Sequence, residues 1–419
     1  MPGSDSPFPI IGDRPAYDAV VVGASLAGCA TAIHLARAGR RVAVVEKKPD
    51  PGAFKRTCSH FIQAGGVPAI ERLGLLEACE AAGALRSRMH AWTRWGWIEA
   101  PPEEAGLGLN LRREVLDPLL RSTAAETPGV EMMLGWGVER LLREEGEFAG
   151  VVARNPGGEE RELRARLTVG ADGRDSRIAE LSEVPVKTFP HGRFAYGAYF
   201  EGADPAFAPD ATIWMMDPQW AAAFPTDGGL TFYAAMPTME RLPEFKRDPA
   251  RALVDFLGDV PEAPPIREAR LVGSVTGKVD MTNRMRKPVA PGLALVGDAA
   301  LATDPLFGVG CGWAFQSAEW LAEAVAPALG GEGRLDEGLE RYRRRHRKEL
   351  AGHAFFIHDY AGGRRFSPVE RLMFAAAARD AKAAGMFDLL GTRRSRPQRL
   401  LPRLLPRAVA VNTRHALAR

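Results

Sequence analysis

An α/β fold with two interleaved sheets and a helical C-terminal region is predicted by three observations. Three segments that read strand, glycine turn, helix stand far apart, at residues 17–47, 167–181 and 293–315. Between the second and third, "RFAYGAYFEG", "ATIWMMDPQWAAAFP" and "LTFYAAMPT" carry β-branched and aromatic residues in alternating or apolar runs, which predicts a mostly antiparallel sheet. After residue 331 the chain reads as helices, broken at Gly362-Gly363. Divided by these features, 1–15 is a flexible N-terminus, and 16–84, 106–182 and 281–330 build the α/β domain. Residues 85–105 and 183–280 supply the second, substrate-covering sheet, and 331–419 is helical with a basic tail.

A chain of 419 residues buries one large or two interleaved cores. Its 55 basic and 52 acidic residues leave a net charge of +3, and no aromatic and basic interleaving accompanies it, so nucleic acid is not an expected partner. Cys29, Cys58, Cys79 and Cys311 share no CxxC spacing, which predicts reduced thiols, no metal site and a cytoplasmic protein. The start "MPGSDSPFPIIGDRPAYD" lacks the basic and apolar regions of a signal peptide, and no apolar run approaches roughly 18 residues.

In the first segment, "YDAVVVGASLAGCATAIHLARAGRRVAVVEK", a strand over Ala19 to Val22 meets a helix over Leu26 to Ala38, and a second strand ends at Glu46. Gly23 permits the tight turn and Gly28 lets helix and strand approach, so that free helix N–H groups face a pyrophosphate. Glu46 stands near the spacing of a carboxylate that holds a ribose diol, which favours FAD or NAD over NADP here. This is a Rossmann-like unit, with Ser25 where the middle glycine usually sits. "LTVGADGRDSRIAEL" and "LALVGDAALATDPLFGVGCGWAF" repeat the strand and Gly-Asp turn, and three such turns predict one extended ligand held at several points.

Together and in this order, the motifs resemble the FAD-dependent monooxygenase superfamily of the para-hydroxybenzoate hydroxylase type, whose relatives include flavin halogenases and geranylgeranyl reductases. The resemblance implies that Gly23, Ser25 and Gly28 line the FAD pyrophosphate and that Glu46 binds the adenosine ribose. Arg113, in "RREVLDPLL", would lie near the phosphates, with Arg112 a competing choice. Asp172 and Gly173 match the family's DG motif, and Asp298 of Gly297-Asp298 would hold the ribityl chain. Pro305 and the turn through Gly308, Gly310 and Gly312 would lie against the isoalloxazine ring, where backbone N–H groups and a helix start stabilise the charge of reduced flavin.

The implied activity is a hydroxylase or epoxidase of secondary metabolism. NADH or NADPH reduces FAD, O2 adds at C4a, and the resulting hydroperoxide transfers oxygen to an apolar, aromatic or polyketide-like molecule. No second Rossmann unit is present, so the nicotinamide would bind transiently or a flavin reductase would deliver reduced flavin.

Several residues depart from the hydroxylase pattern: Leu301 replaces a His, Gly312 an Asn and Ser317 an Asp. These changes lean towards the reductase and halogenase branches, as does "FKRTCSHFIQAGGVPAIERLGL". The reductases' aromatic-Trp-aromatic-Pro segment is missing, however, and "WTRWGWIEAPP" only approximates the halogenase tryptophan motif. Lys55 reads better as a phosphate-side cation than as a halogenating lysine.

His60 and His90 are the candidate acid/base groups, with Pro305 beside the ring. Cys58 or His60 would be the point of any covalent flavin attachment. Trp95, Tyr199, Trp214, Phe224 and Tyr233 are the candidate substrate contacts. The arginine-rich, acid-free end "TRRSRPQRLLPRLLPRAVAVNTRHALAR" suits a carrier protein, a flavin reductase or an anionic membrane surface, or else packs on its own domain. Prolines 397, 402 and 406 predict short turns there rather than one long helix.

Overall fold

A computed structural model describes residues 17–418. The expected flexible segment 1–15 lies outside them. Five parallel strands form the first sheet, in the order Leu293–Leu295, Glu160–Gly170, Tyr17–Val22, Val42–Glu46 and Val130–Leu134. Val20, Val21, Ala43 and Val44 are fully buried because helices cover one face and a strand layer the other, which explains the unbroken apolar reading of these strands. Glu147–Arg154 and Gly137–Glu144 extend Glu160–Gly170 as an antiparallel flap. The Leu26–Arg37 helix packs between this sheet and the Gly310–Leu329 helix, burying Ala30, Ile33 and Leu35.

The second sheet has seven strands, ordered Arg270–Lys278, Ala195–Glu201, Leu230–Met236, Trp220–Thr226, Ala211–Met215, Met89–Thr93 and Gly96–Ile98. All pairs are antiparallel except Met89–Thr93, which joins Ala211–Met215 in parallel. Successive side chains alternate between its faces. Trp214, Ala221, Ala223 and Tyr233 point to the Pro249–Gly258 helix, whereas Met215, Ala222, Phe224 and Met236 point to the C-terminal helices.

Those helices are Leu335–Ala361, Pro368–Ala377, Ala381–Gly391 and Pro397–Leu417. Gly362 caps the first, and Ser367 opens the second with a capping box to Glu370. Tyr342 ties the first to the parallel sheet through a 2.7 Å hydrogen bond to the Leu295 carbonyl.

The last helix corrects the expectation of short turns: Pro402 and Pro406 lie inside one continuous helix. Its buried stripe is Leu400, Leu404, Ala408 and Val411, of which the last three pack against Met373, Ala376 and Ala383. Both prolines, and Gln398, whose carbonyl Pro402 leaves without a helical donor, sit on the exposed side, so docking outweighs the lost bonds. Among the described residues no helix is long and apolar enough to cross a membrane.

Candidate active site

At the C-terminal edge of the parallel sheet, geometry rather than side-chain chemistry selects the residues. Gly23 has φ +106, and a Cβ there would stand 2.6 Å from the Ala171 carbonyl oxygen. A Cβ on Gly28 would stand 1.8 Å from the Gly23 oxygen. Ser25 opens the helix without capping it; its Oγ accepts instead from Arg113 Nη2 at 2.8 Å. The Glu46 carboxylate accepts from the Ala24 and Lys48 N–H groups, both at 2.9 Å.

Arg113 is buried at the start of the Arg113–Glu126 helix and is held by Asp117 at 2.7 Å. Arg112 turns away to Asp227 and Glu114, so of the two it is Arg113 that faces the glycine turn. Asp298 lies 3.3 Å from Lys55 Nζ. Burial works to raise its carboxyl, but Lys55 and Arg174 outweigh burial and hold it below its ordinary value. Lys55 thus sits at the nucleotide edge.

Gly297, at φ +55, donates its N–H to Ser317 Oγ at 2.9 Å, so Ser317 supports the Gly-Asp turn directly. Asp172 is turned inward, accepting from Ser176 Oγ at 2.5 Å and the Ile178 N–H at 3.1 Å, which stitches its turn to the Arg177–Ser182 helix. A Cβ on neighbouring Gly173, φ +84, would meet open space.

Asp304 caps the short Pro305–Phe307 turn through the Leu306 N–H, and burial raises its carboxyl. Gly308, at φ +60, ends that turn, and Gly310 begins the next helix, where a Cβ would stand 3.6 Å from Asp298 Oδ1. Gly312 differs. It packs on Gly66, whose own Cβ would come 2.7 Å from the Gly312 Cα, so it serves close packing.

These residues fit a dinucleotide. The Leu26–Arg37 and Gly310–Leu329 helices both start at this edge with no side-chain cap and no acid in the first turn, leaving their N–H groups for an anion.

Between this edge and the second sheet lies a cavity of about 550 Å³, mostly apolar. Its floor is the Pro305 to Gly308 turn, one wall is Met215, Trp220, Ala222 and Phe224, and the opposite wall is Phe356, Met373, Phe374, Phe387, Leu401 and Leu405 from the C-terminal helices. Sequence reasoning missed that second wall; the i, i+4 pair Leu401 and Leu405 was its one local signal.

His60 is buried beside the cavity with φ +63. Its Nδ1 accepts the Arg113 backbone N–H at 2.9 Å, which assigns the proton to Nε2, so that Nε2–H donates to the Tyr199 hydroxyl. Burial keeps this imidazole below its ordinary value and therefore neutral. Cys58 and Cys311 are free thiols whose sulfurs stand 3.7 Å apart, with Arg113 Nη1 3.7 and 3.8 Å from them. The contact with Cys311, aided by Arg113, holds Cys58 below its ordinary value, whereas the same contact and burial push Cys311 up against the opposing pull of Arg113.

Other candidates lie elsewhere. His90 is on the opposite strand face from Met89 and Ala91, paired with Asp210 at 3.1 Å and stacked on Phe207. Trp214 donates to the Pro261 carbonyl and Tyr233 to that of Ala203, both behind the sheet. Trp95 packs at the margin of the cavity-side cluster without lining the cavity. Phe224 lines it.

A family model described as an FAD binding domain matches residues 16–353. The chain is 30% identical over 341 residues to a kynurenine 3-monooxygenase of Salinispora tropica, covering 73% of this chain and 72% of the relative. It is 26% identical to digeranylgeranylglycerophospholipid reductase 1 of Methanococcoides burtonii, covering 79% of each. The structure of the flavin-dependent brominase Bmp2 superposes with a TM-score of 0.74 at 19% identity, covering 90% of this chain and 93% of that one.

Proposed function

The chain belongs to the FAD binding domain family and is an FAD-dependent oxidoreductase, and from that premise we propose that it is a monooxygenase which uses NADH or NADPH and O2 to oxygenate an apolar small molecule. One observation carries the reading: the apolar cavity opens directly onto the Pro305 to Gly308 turn at the nucleotide edge. A flat or greasy molecule in it would lie against whatever that turn holds.

FAD, held along Gly23, Ser25, Gly28, Arg113 and Asp298, supplies the redox chemistry when bound. The protein's own part is to position, to exclude water and to handle protons. Trp220, Phe224 and Phe374 give a dry wall. Pro305 adds no N–H donor to the floor. The neutral His60 and the Tyr199 hydroxyl form a hydrogen-bonded pair able to hold a proton at the Tyr199 oxygen, with Nδ1 kept by the Arg113 backbone N–H. The nicotinamide donor binds transiently, and the arginine-bearing last helix is the surface to which a carrier protein, reductase or anionic membrane would dock.

A second reading, reduction or desaturation of a lipid, draws support from the similarity to the digeranylgeranylglycerophospholipid reductase and from the apolar lining of the cavity. Anaerobic reduction of the FAD-loaded protein by NADH and NADPH, followed by mixing with oxygenated buffer and candidate ligands, separates the two. Oxygen from O2 in the product supports the monooxygenase. A product changed only at a C=C bond, with no oxygen gained, overturns it in favour of the reductase.

A further inference from the structure

Beside the apolar cavity lies a second recess of about 260 Å³ with the opposite character. Lys348, Glu349, Arg393, Arg394, Arg396 and Arg399 surround it. Arg394 is ion-paired with Asp388, and Arg396 faces Glu349 at 3.6 Å. Arg393, Lys348 and Arg399 have no carboxylate within ion-pair distance among the described residues. The recess therefore carries uncompensated positive charge.

Arg393 joins the two spaces, since it and His353 line both. Its Nη1 donates to the Leu390 carbonyl at 2.8 Å and meets His353 Nδ1 at 3.3 Å, and its guanidinium sits 5.5 Å from the Phe307 ring on the cavity floor. Its Nε is buried with no hydrogen-bond partner. A buried donor of a charged group left unmade is costly and points to an absent acceptor. Burial alone depresses this guanidinium, to about 10, with no acid nearby to offset it. His353, lowered to about 3 by burial and by Arg393, stays neutral and adds no compensating charge.

The backbone fixes the group in place. Arg393 adopts φ +63, a strained conformation for a side chain of its size. The Gly65 N–H donates to the Thr392 carbonyl at 2.9 Å, and a Cβ on Gly65 would stand 2.4 Å from the Arg393 oxygen. Residues 392–393 are thus bolted to the Gly65-Gly66 segment, which itself packs on Gly312 of the floor helix. The Pro397–Leu417 helix starts at the recess with no side-chain cap and no acid in its first turn, adding a positive dipole end.

We propose that this recess binds an anionic group of the substrate, a carboxylate or a phosphate, so that the molecule taken is an amphiphile with its apolar body in the large cavity and its charged end across Arg393. The inference rests on the reading of the large cavity as the substrate site. It also sets a length: the charged end is anchored beside Phe307, so oxidation falls on the part of the body that lies over the floor near that anchor.

The test is ligand titration of the FAD-loaded protein, read by the flavin difference spectrum, with decyl phosphate, decanoate and decanol as probes. The expected result is that one or both anions bind roughly tenfold or more tightly than the alcohol, and that added salt erodes only the anions' advantage. Which anion is favoured identifies the source of the charge. Arg393→Met should erase the preference and leave decanol binding in place. Should Arg393→Met misfold, Lys348→Gln with Arg399→Gln, both exposed, should each lower the preference several-fold. Equal binding of all three probes by the unmodified protein overturns the proposal, as does a preference that survives both sets of substitutions. Failure of the oxygenation reading would appear separately, as absence of labelled oxygen in the product with the anion preference intact.

Discussion

The nucleotide edge and the apolar cavity lie back to back, yet they are specified in different ways. The edge is made of backbone: Gly23, Gly28 and Gly297 are needed because no side chain fits, and within each short segment the glycine positions are dictated by the strand, turn and helix they join. The cavity is made of side-chain faces from strands and helices more than a hundred residues apart, each contributing alternate or i, i+4 positions. Changes at the edge should therefore abolish cofactor binding or folding outright, and changes in the cavity should alter affinity by degrees.

The largest expected effect is at the junction of the two. Arg113→Ala leaves the buried Asp117 carboxylate unpaired and should cost about 3–5 kcal/mol in denaturant unfolding. Arg113→Met combined with Asp117→Leu should recover most of that stability without recovering FAD affinity; recovery of both would make the pair scaffold only.

Next is a dependence on pH carried by histidines of the Leu335–Ala361 helix. Burial pushes His346 down to about 4. The unfolded chain takes up its proton near pH 6.5 and the native one does not, so stability is full above that value and lost as pH falls to about 4, by about 3 kcal/mol for this residue. His353 and His358, also lowered by burial, act in the same direction. His346→Phe should flatten the fall in melting temperature with acid.

Gly28→Ala should then cost about 1–3 kcal/mol or more and yield colourless protein, because its Cβ has nowhere to go. Gly312→Ala meets Gly66 at 3.4 Å and should keep its flavin; a colourless Gly312→Ala would return that glycine to the cofactor. Filling the cavity with Ala222→Trp should raise the KM for an apolar substrate roughly tenfold at unchanged flavin content. Trp214→Phe, behind the sheet, should leave KM alone and lose about 1 kcal/mol with its hydrogen bond to Pro261.

How much could be read beforehand follows from the same contrast. The glycine turns, Glu46 and the Arg113 helix stood out because local sterics demand them. The parity of the second sheet did not: Phe224 and Trp214, or Met89 and His90, differ only in which face of a strand they occupy, and that depends on what covers each face. Pro402 and Pro406 misled because helix propensity is a local quantity, whereas the stripe from Leu404 to Val411 gains its stability from packing on distant helices. Ser317 stands out in the sequence as a departure from the hydroxylase pattern, and its acceptance of the Gly297 N–H, which the sequence does not reveal, adds a supporting duty.

The outer wall of the cavity comes wholly from the chain beyond residue 335, whereas the glycine turns, Arg113 and Asp298 precede it. One of the two cavity walls is thereby carried on a stretch of the gene separate from the glycine turns. The end of that gene can be rewritten, by drift or by grafting the corresponding helices of a relative, to reshape that wall while the sheet-side wall, the glycine turns, Arg113 and Asp298 are inherited untouched.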